Sequence, residues 1–264
     1  MRTRIISGTV LVLIVSALVT FHILTDIPFV MIAALAFVTG VAAYELSYNA
    51  RLVCDKTLGF IAGIFSALEF VLYVMYPSHA LYAAILYILC VVAVSLFRHQ
   101  TVNNTDIMSA VAVPLMLSFA VFCIYAILSK GLFYLLLMLN FSSVCDCGAY
   151  FVGVTLGRHK LCPKISPKKT IEGAIGGIAL SILVTVSMFF LFGLESGLLP
   201  LILITPVLCV VGMMGDLFAS VIKRKAEIKD YGKLIPGHGG IMDRFDSILL
   251  IAPAFLLLLT VIRG

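Results

Sequence analysis

Long apolar segments alternate with short polar segments along the whole chain. Each apolar segment approaches the length of about 20 residues that a helix needs to cross the hydrocarbon core of a bilayer. The pattern predicts membrane-spanning helices at about 5–24, 27–46, 57–76, 80–97, 107–128, 132–156, 171–192, 199–221 and 245–262. The predicted fold is therefore an all-α integral membrane protein, a polytopic bundle of about nine transmembrane helices.

Composition agrees with this prediction and excludes a soluble domain. Hydrophobic residues make up 62% of the 264 residues and charged residues only 12%, whereas soluble domains contain about 25% charged residues. We expect the first apolar segment to be a retained span rather than a cleaved signal peptide, because it is long and lacks a small-residue cleavage site. Most of the seven cysteines lie in apolar runs, which indicates buried side chains rather than a disulfide framework.

The lysines and arginines orient the bundle. If the N-terminus is cytoplasmic, 16 of the 18 basic residues fall in cytoplasmic segments, as the positive-inside rule requires. The two most basic loops, at about 157–170 and 222–244, then lie on the same face of the membrane. Basic loops can simply fix topology and contact anionic lipid, but that alternative does not account for the glycines, the histidine and the carboxylates among them.

Several carboxylates lie inside or beside the predicted spans, where ionisable groups are costly and tend to mark function. Asp216 lies near the cytoplasmic end of the eighth span, and Asp146 lies deeper in the polar patch "NFSSVCDCGAY". Asp243 and Asp246, three residues apart, are predicted to share one face of the ninth helix. Glu69 stands alone in the third span, and both a structural hydrogen-bonding role and an ion-coupling role stay open for it.

The spacing along the eighth span has a chemical meaning. Asp216, Ser220 and Lys223 or Arg224 fall on one helical stripe that offers a carboxylate, a hydroxyl and cationic donors. Asp216 and Asp243 from separate helices supply the oxygen ligands that Mg2+ prefers, while the basic residues neutralise phosphates. The combination favours metal-assisted phosphoryl or nucleotidyl transfer, although a single intramembrane aspartate can also be a structural ion-pair partner.

Two polar loops fit the same chemistry. In "PGHGG", glycines allow close approach of the backbone to a phosphate, and the ninth helix begins shortly afterwards with its N-terminus toward the same place. In "KISPKKTIEG", hydroxyls and lysines precede the seventh predicted helix. Each loop also has a purely structural interpretation: a surface turn containing His238, and a basic turn in which Thr170 caps the helix and Glu172 favours its first turn.

The stretch "SVIKRKAEIKDYGKLIPGHGGIMDRFD", residues 220–246, resembles the signature of the phosphatidate cytidylyltransferase (CDP-diacylglycerol synthase) family. The earlier stretch "DCGAYFVGVTLGRHKLCPKISPKKTIEGAIGG" is similar to a second segment of that family, with Asp-x-x-Ala-Tyr followed by Ser-Pro-Lys-Lys-Thr-x-Glu-Gly. The resemblance covers roughly 140–247 without a departure at the motif positions. Over the first 130 residues it rests on hydropathy alone.

The resemblance implies a reaction, its substrates and its site. CTP and phosphatidic acid would give CDP-diacylglycerol and pyrophosphate, with Mg2+ required and a second cation such as K+ beside it. The implied metal ligands are Asp216, Asp243, Asp246 and Asp146. The implied catalytic residues are Asp216, Asp243, Asp246, Lys223 and Arg244. The implied substrate-binding residues are Ser166, Lys168, Lys169, Thr170, Glu172, Ser220, Arg224, Lys229, His238, Gly239 and Gly240.

The resemblance also implies an organisation and a location. We expect one membrane domain over 1–264, with N-terminal helices in 1–130 and catalytic helices and cytoplasmic loops in 131–264. The expected assembly is a homodimer in a bacterial inner membrane, with its active site facing the cytoplasm and no nucleic-acid partner. The alternatives are a cytidylyltransferase for another lipid phosphate, an ion-coupled transporter using Asp146, Glu69 and Asp216, and a non-catalytic membrane scaffold.

Overall fold

The computed structural model describes residues 2–25, 27–163 and 165–263. Lys164, one of the basic residues of the loop at 157–170, lies outside the described residues. The α-helices are α1 (Arg2–Thr25), α2 (Pro28–Tyr44), α3 (Lys56–Met75), α4 (Pro77–Phe97), α5 (Asn104–Leu128), α6 (Leu132–Leu139), α7 (Cys145–Leu156), α8 (Ile171–Leu191), α9 (Leu198–Lys225), α10 (Met242–Phe245) and α11 (Ile248–Arg263). Two π-helical segments, Glu45–Asn49 and Asn140–Val144, continue α2 and α6.

The predicted spans are confirmed. Among the described residues, nine helical segments are long and apolar enough to cross a membrane, each overlapping one of the predicted spans. The sixth span is composite, because α6, the second π-helical segment and α7 follow one another without a loop. A π-helical turn inside an α-helix is uncommon and often accompanies a functional site, and here it ends two residues before Asp146.

The ninth span contains an interruption that the spacing did not predict. Helix α10 ends at Phe245 and α11 begins at Ile248, so Asp246 lies in the turn between them. The expectation that Asp243 and Asp246 share one face of a continuous helix is therefore wrong. The Asp246 carboxylate accepts a hydrogen bond from the following backbone N–H, that of Ser247, at 2.9 Å, a local contact that competes with regular helical bonding at this point.

A short hairpin occupies the first basic loop. Strand β1 (Lys160–Cys162) pairs antiparallel with β2 (Ser166–Thr170), with Lys160 opposite Thr170 and Cys162 opposite Ser166. The Thr170 hydroxyl accepts a hydrogen bond from Gly173 N at 3.1 Å, so Thr170 is the N-cap of α8, as the sequence predicts. The hairpin thus delivers its lysines directly to the beginning of a membrane helix.

The chain divides into two compact units. The first comprises Met1–Phe122 and Lys225–Phe245, and the second comprises Cys123–Arg224 and Asp246–Gly264. In the first unit, α2 and α3 pack closely because Gly40 and Gly63 face each other's backbone carbonyls. A buried apolar cluster holds α3, α4 and α5 together around Phe65 and Tyr87.

The second unit is built on close helix contacts and a buried polar cluster. A Cβ at Gly148 would meet Gly177 Cα at 3.0 Å, so α7 and α8 pack backbone against backbone. Asn140 Nδ2 donates to the Ser181 carbonyl and the Thr185 hydroxyl, each at 3.0 Å. Because hydrocarbon offers no hydrogen-bond partners, such contacts fix how neighbouring membrane helices pack.

Candidate active site

A cavity of about 280 Å³ in the second unit brings together six of the residues predicted from sequence. Helices α7, α8 and α9 and the hairpin line it. The predicted residues in its wall are Asp146, Ser166, Lys168, Lys169, Thr170 and Asp216. Two carboxylates, two ammonium groups and two hydroxyls therefore meet in one concave space, and Tyr150 and Met213 add apolar surface.

Glycine packing explains why these side chains converge. Helices α7 and α8 run antiparallel: Gly153, near the end of α7, lies beside Thr170 at the beginning of α8, and Cys145, next to Asp146, lies beside Gly177. On the next helix of this unit, Gly215 packs against the backbone of Asp246 and Ser247, where a Cβ would meet the Asp246 carbonyl at 2.9 Å. The following residue, Asp216, then lies in the cavity wall. A side chain at Gly215 would force α9 away from this position.

Lys169 and Asp216 form an ion pair within the cavity. The Lys169 ammonium contacts the Asp216 carboxylate, and their side chains are 23% and 27% exposed. Both groups also interact electrostatically with Asp146. The site is thus a compact arrangement of opposite charges that is partly shielded from solvent, where electrostatic interactions are stronger than at an open surface.

Glu172 contacts the segment between α7 and the hairpin. Its carboxylate accepts hydrogen bonds from the backbone N–H groups of Arg158 and His159, at 3.1 to 3.2 Å. The His159 ring nitrogen Nδ1 lies 2.6 Å from Glu172 Oε1. Glu172 therefore ties the segment after α7 to the first turn of α8, and its predicted role in substrate binding stays a prediction.

The basic end of α9 carries a second ion pair of this unit. Lys223 Nζ lies 3.7 Å from Asp246 Oδ2, and both side chains are largely buried. Ser220 is half-buried one turn before Lys223, whereas Arg224 is exposed. The stripe predicted along α9 thus has Asp216 in the cavity and Lys223 paired with Asp246.

In the first unit, the glycine-rich loop folds onto itself and onto a buried carboxylate. Ile235 N donates to the Gly239 carbonyl, and His238 N donates to the Ile235 carbonyl, both at 2.9 Å. Gly239 has a φ of +86°, which favours glycine. Asp243 Oδ2 accepts hydrogen bonds from Tyr231 N at 2.8 Å and Gly240 N at 2.9 Å. The loop backbone is therefore organised around the side chain of Asp243.

A second buried carboxylate, that of Glu45 after α2, contacts this loop, and sequence reasoning missed it. The side chain is 3% exposed, and its Oε2 accepts a hydrogen bond from Met242 N at 2.9 Å. A Cβ at Gly232 or Gly240 would overlap the Glu45 carboxylate, so both glycines make room for it. The signal was present in the sequence, since Glu45 is an acidic residue near the end of a predicted span, as Asp216 is.

The remaining predicted residues of the first unit lie around the same loop. Arg244 donates from its guanidinium to the His238 carbonyl at 2.8 Å, and the His238 ring contacts the Ser7 hydroxyl of α1. Lys229 is exposed before the loop. The predicted roles of these residues toward substrate, and those of Gly239 and Gly240, stay predictions.

The donor sets bear on the predicted metal ion. Among the residues that the structure describes, no group of three or more His, Cys, Asp or Glu side chains is arranged to hold a metal. The cavity contributes two carboxylates, those of Asp146 and Asp216. Mg2+ is commonly held by one or two carboxylates together with water and substrate phosphates, so this pair fits an ion that arrives with a nucleotide. The predicted metal contacts of Asp243 and Asp246 stay predictions.

Glu69 lies apart from these features. It is fully buried in α3, and neither carboxyl oxygen has a hydrogen-bond partner among the described residues. The two interpretations of its role, structural and ion-coupling, stay open.

Comparison with known proteins gives a consistent result. The model of the cytidylyltransferase family matches residues 2–262. Over 135 residues, the chain is 44% identical to a phosphatidate cytidylyltransferase of Staphylococcus haemolyticus, 46% identical to one of Staphylococcus epidermidis, and 42% identical to one of Staphylococcus aureus. Each alignment covers 51% of this chain and 52% of the relative, so the match spans about half the length of either protein.

Proposed function

The chain belongs to the cytidylyltransferase family, and we propose that it is a phosphatidate cytidylyltransferase. It transfers the cytidylyl group of CTP to phosphatidic acid, giving CDP-diacylglycerol and pyrophosphate. The observation that carries the proposal is the cavity in which Asp146 and Asp216 meet the hydroxyls and lysines of the hairpin. The printed names of the staphylococcal relatives support the choice of substrates.

The proposed reaction mainly requires compensation of the negative charge on its two substrates. An oxygen of the lipid phosphate attacks the α-phosphorus of CTP, and the bond from that phosphorus to the bridging oxygen of pyrophosphate breaks. The nucleophile is already anionic, so a strong general base is not needed. The chief barrier is repulsion between two anions, which fixed cationic groups lower by electrostatic stabilisation of the transition state. Lys168 and Lys169 are the cavity's cationic side chains for this role.

We propose that Mg2+ is required and that Asp146 and Asp216 hold it. When bound, the ion would neutralise phosphate oxygens and act as a Lewis acid at the nucleotide. The ammonium of Lys169 pairs with the Asp216 carboxylate and orients it within the cavity. A second cation such as K+ beside Mg2+ is a separate part of the proposal, and it is tested by measuring turnover with each ion added alone.

The proposed setting follows from the two substrates. CTP is soluble, whereas phosphatidic acid stays in the leaflet, so a site near the ends of the spans is where they meet. We propose that the cavity faces the cytoplasm of a bacterium, in the inner membrane, and that the enzyme acts as a homodimer. The accumulation of basic residues in the loops on one side supports the orientation.

The test is a reconstituted assay. Purified protein in lipid nanodiscs receives labelled CTP, phosphatidic acid and Mg2+, and both CDP-diacylglycerol and pyrophosphate are measured. We expect equal amounts of the two products and none when phosphatidic acid is replaced by diacylglycerol or when Mg2+ is chelated. A Glu195→Gln variant, altered at an exposed residue between α8 and α9, serves as the matched control and should retain full turnover.

Other experimental outcomes would favour the alternative functions. Product formed only with an ether-linked lipid phosphate would identify a cytidylyltransferase that uses another lipid substrate. Ion-driven uptake into vesicles without CTP turnover would favour the transporter. Absence of turnover with every lipid phosphate offered would contradict the proposed function.

A further inference from the structure

The N-terminal helix α1, for which the sequence predicts no role in the site, contacts the ring of His238. Ser7 Oγ lies 2.8 Å from His238 Nδ1, and the two residues belong to the same compact unit. Gly8, the next residue of α1, lies against the other edge of the ring. A Cβ at Gly8 would lie 3.3 Å from His238 Cε1 and 3.5 Å from Nε2. Ser7 and Gly8 therefore form a notch in α1 that receives the imidazole.

The hydrogen bonds of Ser7 determine which ring nitrogen carries the proton. Ser7 Oγ also lies 2.8 Å from the carbonyl oxygen of Pro236, to which it donates. Two oxygens at this distance repel each other unless a hydrogen lies between them, and a carbonyl supplies none. The Ser7 hydrogen is thus directed at Pro236, and Ser7 Oγ must accept from His238 Nδ1–H.

The backbone around His238 is held equally firmly. His238 N donates to the Ile235 carbonyl, and the His238 carbonyl accepts from the Arg244 guanidinium at 2.8 Å. Ring and backbone are therefore fixed by separate partners. Of the two ring nitrogens, Nδ1 is paired with Ser7, whereas Nε2, which lies beside Gly8, has no hydrogen-bond partner among the described residues and so is the nitrogen left for the chemistry of the ring.

We propose that Ser7 and Gly8 are positioning residues that orient the His238 imidazole and hold a proton on Nδ1, so that Nε2 is the atom His238 presents to substrate. In the neutral ring, Nε2 has the lone pair and accepts a hydrogen bond. In the protonated ring, Nε2–H donates to a phosphate oxygen while Nδ1–H still donates to Ser7. The contact with substrate rests on the proposed function; the tautomer and the ring position do not.

The first experiment reads the tautomer directly. Protein labelled with 15N-histidine is studied in nanodiscs by NMR under basic conditions, and His238→Gln identifies the His238 signals by their loss. We expect a protonated Nδ1 and an unprotonated Nε2 in the wild type, retained in Ser7→Thr and lost or averaged in Ser7→Ala. Ser16→Ala, at an exposed serine of the same helix, should leave the signals unchanged.

The second experiment measures turnover in the same variants. Ser7→Ala and Gly8→Val should lower kcat/KM by about 10-fold to 100-fold, the effect of a misplaced active-site group, while thermal unfolding changes little. Ser7→Thr should restore turnover, and Ser16→Ala should match the wild type. Recovery with threonine separates the loss of a hydroxyl acceptor from general damage to α1.

Three results would overturn the proposal. One is a neutral His238 in the wild type that carries its proton on Nε2. Another is a Ser7→Ala variant with unchanged spectrum and unchanged turnover. The third is a loss of turnover in Ser7→Ala that Ser7→Thr does not restore. If the wild type has no CTP turnover, the proposed function fails, but the NMR experiment still decides the tautomer and the role of Ser7.

Discussion

The carboxylates of the two compact units are used in different ways. In the second unit, Asp146 and Asp216 line a cavity that they share with lysines and hydroxyls. In the first unit, Glu45 and Asp243 are buried and accept hydrogen bonds from backbone N–H groups of the loop at 231–243. Acidic residues near the ends of membrane spans thus both line a cavity and organise a loop, and their partners distinguish the two uses.

The glycines differ in the same way. In the second unit, Gly148 and Gly177 let two helices approach closely, which brings side chains to the cavity. In the first unit, Gly232 and Gly240 make room for the carboxylate of Glu45, and the amide of Gly240 donates to Asp243. The glycine motif, which in the sequence suggests phosphate binding, therefore also leaves the space that the Glu45 carboxylate occupies beside the loop.

The strongest test of the comparison removes a cavity carboxylate. Asp216→Asn keeps the shape of the side chain but removes its charge, so we expect turnover to fall by about 100-fold to 1,000-fold, as when a transition-state contact is lost. Thermal unfolding should change little, because the ion pair with Lys169 is partly exposed. Unchanged turnover, compared with the Glu195→Gln control, would contradict the assignment of this cavity as the active site.

The second test separates two roles of Asp243. Asn can accept the hydrogen bonds from Tyr231 and Gly240 but is a poorer Mg2+ ligand than a carboxylate. If Asp243 binds metal as the sequence predicts, Asp243→Asn should unfold normally yet lose turnover by about 100-fold, and Asp243→Ala should lose stability as well. Normal turnover in Asp243→Asn would leave Asp243 with only its role in organising the loop.

The third test concerns Glu45, the buried carboxylate that contacts the loop and that sequence reasoning missed. Glu45→Ala leaves the buried Met242 N–H without its acceptor, so the free energy of unfolding should fall by about 2 kcal/mol. Glu45→Gln keeps an acceptor oxygen and should retain most of this stability. Chemical denaturation in mild detergent measures both. Equal stability of Glu45→Ala and the wild type would show that the loop does not depend on this contact.

The smallest expected effect is a pH dependence at Asp55, the N-cap of α3. Burial raises the pKa of this carboxyl, but the hydrogen bond from Arg98 and those from Leu58 N and Thr57 N outweigh it and lower the pKa below its usual value. Because the folded pKa is the lower one, the charged group stabilises the fold above the unfolded pKa of about 3.9. This contribution is lost as the pH falls through the folded pKa.

The matched variant for this prediction is Asp55→Asn, which keeps a capping side chain but removes the charge. Since Arg98 is half exposed, the wild type should be more stable at pH 7 by no more than about 1 kcal/mol. The difference should shrink as the pH falls below about 4. A constant difference between pH 7 and pH 3 would exclude a charge effect at Asp55.

Much of the fold could be predicted because hydrophobic length is a local property. The nine spans and the Thr170 cap are determined by residues close together in the chain, and the structure confirms them. The break at Asp246 could not be predicted, because the apolar and polar pattern continues through it. The hairpin was also missed, since its strands are only three and five residues long.

Much of the candidate site could also be predicted, but not how its residues are divided between the two compact units. The family resemblance implied that Asp146, Lys169 and Asp216 belong to one site, and they line one cavity. Sequence reasoning missed Glu45, although its position near the end of a span was a signal, and assigned no role to Ser7. These residues meet the glycine-rich loop from 197 and 231 residues away in the chain. Contacts of this kind leave no periodic pattern in the sequence.

The sequence by itself determined that the chain is a bundle of membrane helices with basic loops and carboxylates near the ends of its spans. Bilayer thickness and the cost of burying charge constrain every membrane protein, so the spans and the unusual carboxylates can be recognised from composition and spacing alone. Only the tertiary structure decided which carboxylates line a cavity and which hold loop amides, and that residues 225–245 pack with the first helices. Those outcomes depend on where each backbone N–H and each cation lies in space, which distant parts of the chain determine together.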